Sequence, residues 1–166
     1  MSRRTNPRSI VISAAVSAAL LLSFVPASAS ASTIGARHAP RIAAVGGDSW
    51  RLFQATNESR GRFDVAKLRL DRELSAIARR HSMAMARRGE LFHTTSTEAI
   101  AQLEGIDWHI WGENVGFTSQ DVKSMEQAFM DSPPHRGNIL NGSFRQVAIG
   151  SVRVDGTLWV TVFFFG

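Results

Sequence analysis

An α+β fold, with helices covering a small antiparallel sheet, is the class this sequence predicts, and three observations carry it. Leu74, Ile77, Ala78, His81 and Met85 recur at helical spacing between Asp71 and Gly89. The last residues, 146-QVAIGSVRV-154 and 157-TLWVTVFFF-165, flank Asp155-Gly156, a two-residue turn between β-rich runs. The helical patterns also precede the strands instead of alternating with them, which excludes a wound parallel sheet or an α/β barrel.

In chain order, residues 1–31 read as a signal peptide. Arg3, Arg4 and Arg8 form a basic start, Ile10 to Val25 is apolar and uncharged, Pro26 breaks the run, and 27-ASASA-31 offers small-residue cleavage positions after Ala29 or Ala31. Residues 32–47 read as a flexible leader rich in Ala, Gly and Arg, and residues 48–166 as one domain. Asp48 is the expected N-cap of a first helix that buries Leu52 and Phe53 and ends near Gly61. Asp71 caps the second helix, which Gly89 stops. A short helix is expected over Thr97 to Leu103, a loop running into a strand over 112-GENVGF-117, and a third helix over Val122 to Met130. In 130-MDSPPHRGNIL-140, Ser132 at N-cap and Pro133 at the first helical position begin another short helix with His135 in its first turn.

The chain carries a net charge of +5, but its signal segment contributes Arg3, Arg4 and Arg8 and no acid. The exported domain is thus close to neutral, and no nucleic-acid partner is expected. Arg72, Arg79, Arg80, Arg87 and Arg88 fall mostly outside the apolar stripe of the second helix and read as a solvated face. There is no cysteine, so the domain folds without disulfides and any metal must be held by His, Asp or Glu. No transmembrane anchor is expected once the signal is cleaved.

Few residue patterns suggest chemistry. His93 follows the second helix, Glu113 lies between Gly112 and Asn114, and His135 lies in the SPPH stretch. Two imidazoles and a carboxylate are suitable zinc ligands, although no two of them are spaced so that local structure alone would bring them together. His81 reads as a packed, hydrogen-bonded residue, and Trp108 and Trp111 read as a cover for the core. No G-x-S-x-G, no H-E-x-x-H and no cysteine nucleophile is present. Asn57-Glu58-Ser59 and Asn141-Gly142-Ser143 are glycosylation sequons.

The segments 57-NESR-60, 68-LRLDRELSAIARRHSMAMARRGELFH-93, 112-GENVG-116, 129-FMDSPPHRGNIL-140 and 146-QVAIGSVRV-154 together resemble the SCP domain of the CAP superfamily, in its disulfide-free bacterial form. That resemblance implies an α-β-α sandwich with a central cleft carrying two His and two Glu, sometimes with zinc. The matching positions are His93, Glu113 and His135, a tentative metal set with Glu113 as the candidate base. The fourth falls on Ser124, while the nearest carboxylate is Glu126. With no nucleophile motif and that fourth position displaced, the first reading is a secreted, extracellular protein whose cleft, formed by His93, Glu113, His135 and Glu126, binds a small ligand or divalent metal without turnover. A metal-dependent hydrolase of peptide or cell-wall substrates and a sterol or lipid carrier are the alternatives. The expected partner is a small ligand, lipid or cell-envelope component.

Overall fold

The computed structural model describes residues 46–166 and, as one further strand, residues 11–18. In chain order the elements are β1 (Val11–Ala18), α1 (Gly47–Arg62), β2 (Arg69–Leu70), α2 (Arg72–Arg88), α3 (Ser96–Gln102), β3 (Ile110–Thr118), α4 (Val122–Asp131), α5 (Pro133–Ile139), β4 (Gln146–Val154) and β5 (Thr157–Phe165). β1 falls inside the segment read as a signal peptide. The rest of that segment, its cleavage positions and leader residues 32–45 lie outside the described residues.

The strands form one sheet in the order β1-β3-β5-β4-β2. The expected antiparallel hairpin is present, with Val154 opposite Thr157 across a turn in which Asp155 and Gly156 both take positive φ, 48° and 77°. β3 pairs antiparallel with β5, from Trp111 opposite Phe165 to Thr118 opposite Leu158. One expectation is corrected here: the sheet is mixed, because β2 runs parallel to β4 through Arg69 opposite Gln146 and Leu70 opposite Val147. A two-residue strand is too short to leave an alternating pattern in a sequence. A second correction concerns 112-GENVGF-117, which lies wholly within β3 and includes no loop. Its two glycines suggested a loop, but β5 supplies the ladder partners that their weak β-propensity does not.

Side-chain alternation along the strands sorts the core into two layers. On one face Trp111, Ala148, Phe163 and Phe165 pack against Leu74 of α2 and Ala99 and Leu103 of the α3 region, and Val115, Val152 and Trp159 cluster with Met85 of α2. On the other, Val147, Ile149, Val160, Val162 and Phe164 pack against Leu52, Met125, Phe129 and Ile139 from α1, α4 and α5. The result is helix, sheet, helix, as the resemblance implies. Each buried Phe or Leu contributes about 1.5–3 kcal/mol, so this layering dominates stability.

The helix ends show which local readings survive. Asp71 caps α2 through Leu74 N at 2.8 Å, and Gly89 ends it in the left-handed conformation, as read from the sequence. α3 starts with a Thr95/Glu98 capping box. The expected Asp48 cap is corrected: α1 begins two residues earlier with Gly46 as N-cap, and Asp48 instead accepts from Arg51 at 3.2 Å and Arg153 at 2.8 Å. α2 lies so close to β4 that a Cβ on Gly150 would fall 2.0 Å from Arg79 N, which explains a glycine in the middle of a central strand. Arg60 of α1 is fully buried and donates to the carbonyls of Ala66, Ile139, Asn141 and Phe144, tying α1 to the chain that leaves α5.

Candidate functional site at the edge of β3

The end of α2 sets the position of His93. Gly89 turns the chain back, and Phe92 is then held twice: its carbonyl lies 2.8 Å from His81 Nε2, and its ring carries the Arg88 guanidinium 4.5 Å from the centroid. His81 is thus a packed, hydrogen-bonded residue, as its place on the helical stripe suggested. His93 and Thr94 are thereby delivered to β3, where Glu113 is fully buried. Glu113 Oε2 lies 2.7 Å from His93 Nδ1 and accepts from Thr94 N at 3.0 Å, and its Oε1 accepts from Thr94 Oγ1 at 2.7 Å. The carboxylate bonds the 93–94 segment to the α2 face of the sheet.

The next residue does the corresponding work on the opposite face. Asn114 Nδ2 donates to the His135 carbonyl at 3.1 Å, while Asn138 Nδ2 donates to Asn114 Oδ1 at 2.8 Å and to the Glu113 carbonyl at 3.2 Å. Gly112 makes this approach possible, because a Cβ there would fall 2.8 Å from Asn138 Oδ1. The three residues of Gly112-Glu113-Asn114 therefore act differently: the glycine permits close contact, the glutamate bonds one helical layer and the asparagine bonds the other.

α5 begins at Ser132 with Pro133 at its first position, as read, but the hydroxyl makes no cap bond. Ser132 Oγ lies instead 2.6 Å from His135 Nδ1, and the imidazole, 2% exposed, packs beside the Phe129 ring at 5.3 Å. The structure therefore brings His93 to Glu113 and His135 to Ser132, on opposite faces of β3. Sequence reasoning took Ser132 for a backbone cap and set its pairing with His135 aside, since the two are too close in the chain for a triad to be read without a structure.

Glu126 sits elsewhere. It is 5% exposed and accepts from Thr56 Oγ1 at 2.9 Å and Ser59 Oγ at 2.7 Å, both on α1. Burial pushes its carboxyl above the ordinary range, against the lowering pull of the two hydroxyls. An open groove of about 790 Å³ runs past it between α1 and α4, flanked by Glu58, Arg62, Lys123 and Arg136. Ser124 lies in the first turn of α4, where its amide donates to the Asp121 cap at 2.8 Å. Asn57 of the first sequon is buried and uses its amide group to bond both backbone groups of Leu68, at 3.2 and 2.8 Å.

Trp111 is buried and stacks on Phe163 at 5.5 Å, so it covers the core as expected, from its place in β3. Among the described residues no three His, Asp or Glu side chains form a group able to hold a metal ion. His93 is paired with Glu113 and His135 with Ser132 on opposite faces of β3, so in this arrangement the three do not converge as one zinc-ligand set.

This geometry accompanies a family match. The model of the cysteine-rich secretory protein family, CAP, matches residues 53–164. The chain belongs to the CAP family. It is a cysteine-free member, since no cysteine occurs in the sequence. The CAP domain here is 28% identical over 117 residues to YkwD of Bacillus subtilis (strain 168), a match covering 68% of this chain and 45% of that protein. It superposes on an extracellular SCP-domain protein of Bacillus anthracis str. Ames with a TM-score of 0.60 and 26% identity, over 72% of this chain and 40% of the other. It also shares its fold with an outer surface protein of Borrelia burgdorferi, at a TM-score of 0.59 and 19% identity, over 71% of this chain and 91% of the other. The chain thus spans less than half the length of the two Bacillus relatives. Among the described residues, no helix of this CAP domain is long and apolar enough to cross a membrane.

Proposed function

We propose that this protein is an exported CAP-domain binding protein that holds its ligand at the β3 edge without turning it over. The observation that supports this most directly is the commitment of Glu113. Both of its oxygens accept hydrogen bonds from the 93–94 segment, Oε1 from Thr94 Oγ1 and Oε2 from Thr94 N. With His93 also on Oε2 at 2.7 Å, the carboxylate acts as a structural tie and not as a base facing a substrate. Export is supported by the basic, apolar and small-residue pattern of residues 1–31 and by the extracellular SCP-domain relative from Bacillus anthracis.

One contact favours a second reading, a hydrolase: Ser132 Oγ lies 2.6 Å from His135 Nδ1, within reach for proton transfer. The two readings separate in one experiment. Purified protein, wild type and Ser132→Ala, is incubated with peptide and cell-wall fragments, and products are followed by mass spectrometry. The binding reading expects no product from either protein. Product formed by wild type and abolished by Ser132→Ala would establish the hydrolase instead.

A further inference from the structure

β1 places eight consecutive residues of this chain on the outer edge of β3, antiparallel, from Val11 opposite Phe117 to Ala18 opposite Ile110. They are the segment whose composition marks it for removal on export. Once it is gone, β3 becomes an edge strand with a row of backbone N–H and C=O groups open to pairing. Sheet edges of this kind receive extended peptides, with affinity from the main chain and selectivity from the positions opposite each residue.

The β1 register shows what such an occupant looks like. Ile12 stands opposite Gly116 and Val16 opposite Gly112, so two positions held by β-branched residues, four apart, are in register with the two glycines of the strand. Between them, Ser13 stands opposite Val115, Ala14 opposite Asn114 and Ala15 opposite Glu113, and Ser17 stands opposite Trp111. Directly opposed positions of paired strands lie on the same face of a sheet, so this register sets which residue types would stand at each position of β3. The edge is also braced from both sides: Glu113 is tied to His93 and Thr94 on one face, and Asn114 to His135 and Asn138 on the other. α5 lies against β1 as well as β3, so the occupant runs between the sheet edge and a helix.

We infer that the β3 edge of the exported protein is a binding site for an extended, uncharged polypeptide segment from another chain. The segment docks antiparallel, with β-branched residues opposite Gly116 and Gly112 and small residues between them; residues 11–18 fill the site in cis before their removal. This names a ligand class for the site of the binding reading above, and rests on that reading and on export.

The test uses the full chain carrying Ala14→Pro and Ala15→Pro. Adjacent residues of a strand point their N–H groups to opposite sides, so one of the two prolines removes a bond to β3 whichever way β1 lies. The probe is a labelled peptide of sequence VISAAVSA, followed by fluorescence anisotropy and by amide exchange across residues 110–118, with near-ultraviolet circular dichroism as the check on folding. The peptide is expected to bind the variant and slow exchange in β3, and to bind the wild-type full chain at least about tenfold more weakly, because the cis strand competes at high effective concentration. A peptide with Ala14→Phe and Ala15→Phe should bind the variant at least about tenfold more weakly than the parent, since the bulk then stands opposite Asn114 and Glu113. If the proline variant does not fold, the same readings are taken on wild type folded intact and then nicked between residues 31 and 46, with the peptide in excess. Unchanged β3 exchange in the presence of peptide, or equal binding of the two peptides, overturns the inference. Cleavage of a peptide that does bind and protect β3 would overturn the non-catalytic reading and leave the edge site standing.

Discussion

Two buried carboxylates on opposite sides of the sheet show how the same group takes different work from different surroundings. Glu113 is held by a backbone N–H, a hydroxyl and an imidazole, all from residues 93 and 94, and so joins the segment that follows α2 to β3. Glu126 is held by two hydroxyls of α1, with its charge set against burial, which raises its pKa. The first carboxylate bonds a loop to the sheet where the ligand site is proposed. The second bonds two helices to each other beside an open groove. A carboxylate in a helix-helix seam and one at a sheet edge look alike in a sequence; their donors separate them.

The comparison breaks most visibly at Glu113. Glu113→Ala takes away the acceptor of Thr94 N and Thr94 Oγ1, both buried, and the carboxylate contact of His93, and is expected to destabilise the protein by about 3–5 kcal/mol in urea unfolding. A loss below about 1 kcal/mol would mean that the 93–94 segment is not held by this carboxylate.

Glu126 sharpens the contrast through pH. Its folded pKa is raised relative to the unfolded chain, so its favourable contribution is full below the unfolded carboxyl value and is lost as pH rises through the higher folded one. Glu126→Gln keeps the two hydroxyl partners and removes the ionisation. Wild type should therefore lose stability relative to Glu126→Gln as pH is raised through the carboxyl range toward neutrality. A difference that does not change with pH would contradict the burial argument.

The smallest effect is expected at α5. Ser132→Ala removes one hydrogen bond to His135 and no backbone cap, so it should cost about 0.5–1.5 kcal/mol. A larger loss, near that of a cap deletion combined with a buried orphan, would restore the capping role to its hydroxyl.

Local chemistry was legible wherever it was self-contained. Asp71, Gly89, the terminal hairpin and Pro133 each act within a few residues of chain, and each was readable in advance. Asp48 misled because an acid near a helix start suits both a cap and a first-turn pair with Arg51; Arg153, 105 residues away, helps to hold it in the second role. β2 left no pattern at two residues. Arg60 gave no sign of being buried, since its four carbonyl partners lie in loops and a helix end that only folding assembles.

What the sequence by itself determined is the α+β class, most element boundaries and the family, because periodicity, caps and motif order are properties of the chain. Only the tertiary structure decided the partners of the candidate residues. His93 meets Glu113 because Gly89 turns the chain and Thr94 reaches β3; His135 meets Ser132 because the serine hydroxyl leaves the backbone uncapped; Glu126 turns toward α1 because two hydroxyls there satisfy it. Buried polar groups must find hydrogen-bond partners, and with partners as far apart in the chain as Thr56 and Glu126, 70 residues, or Ser49 and Ser151, 102 residues, only packing can assign them.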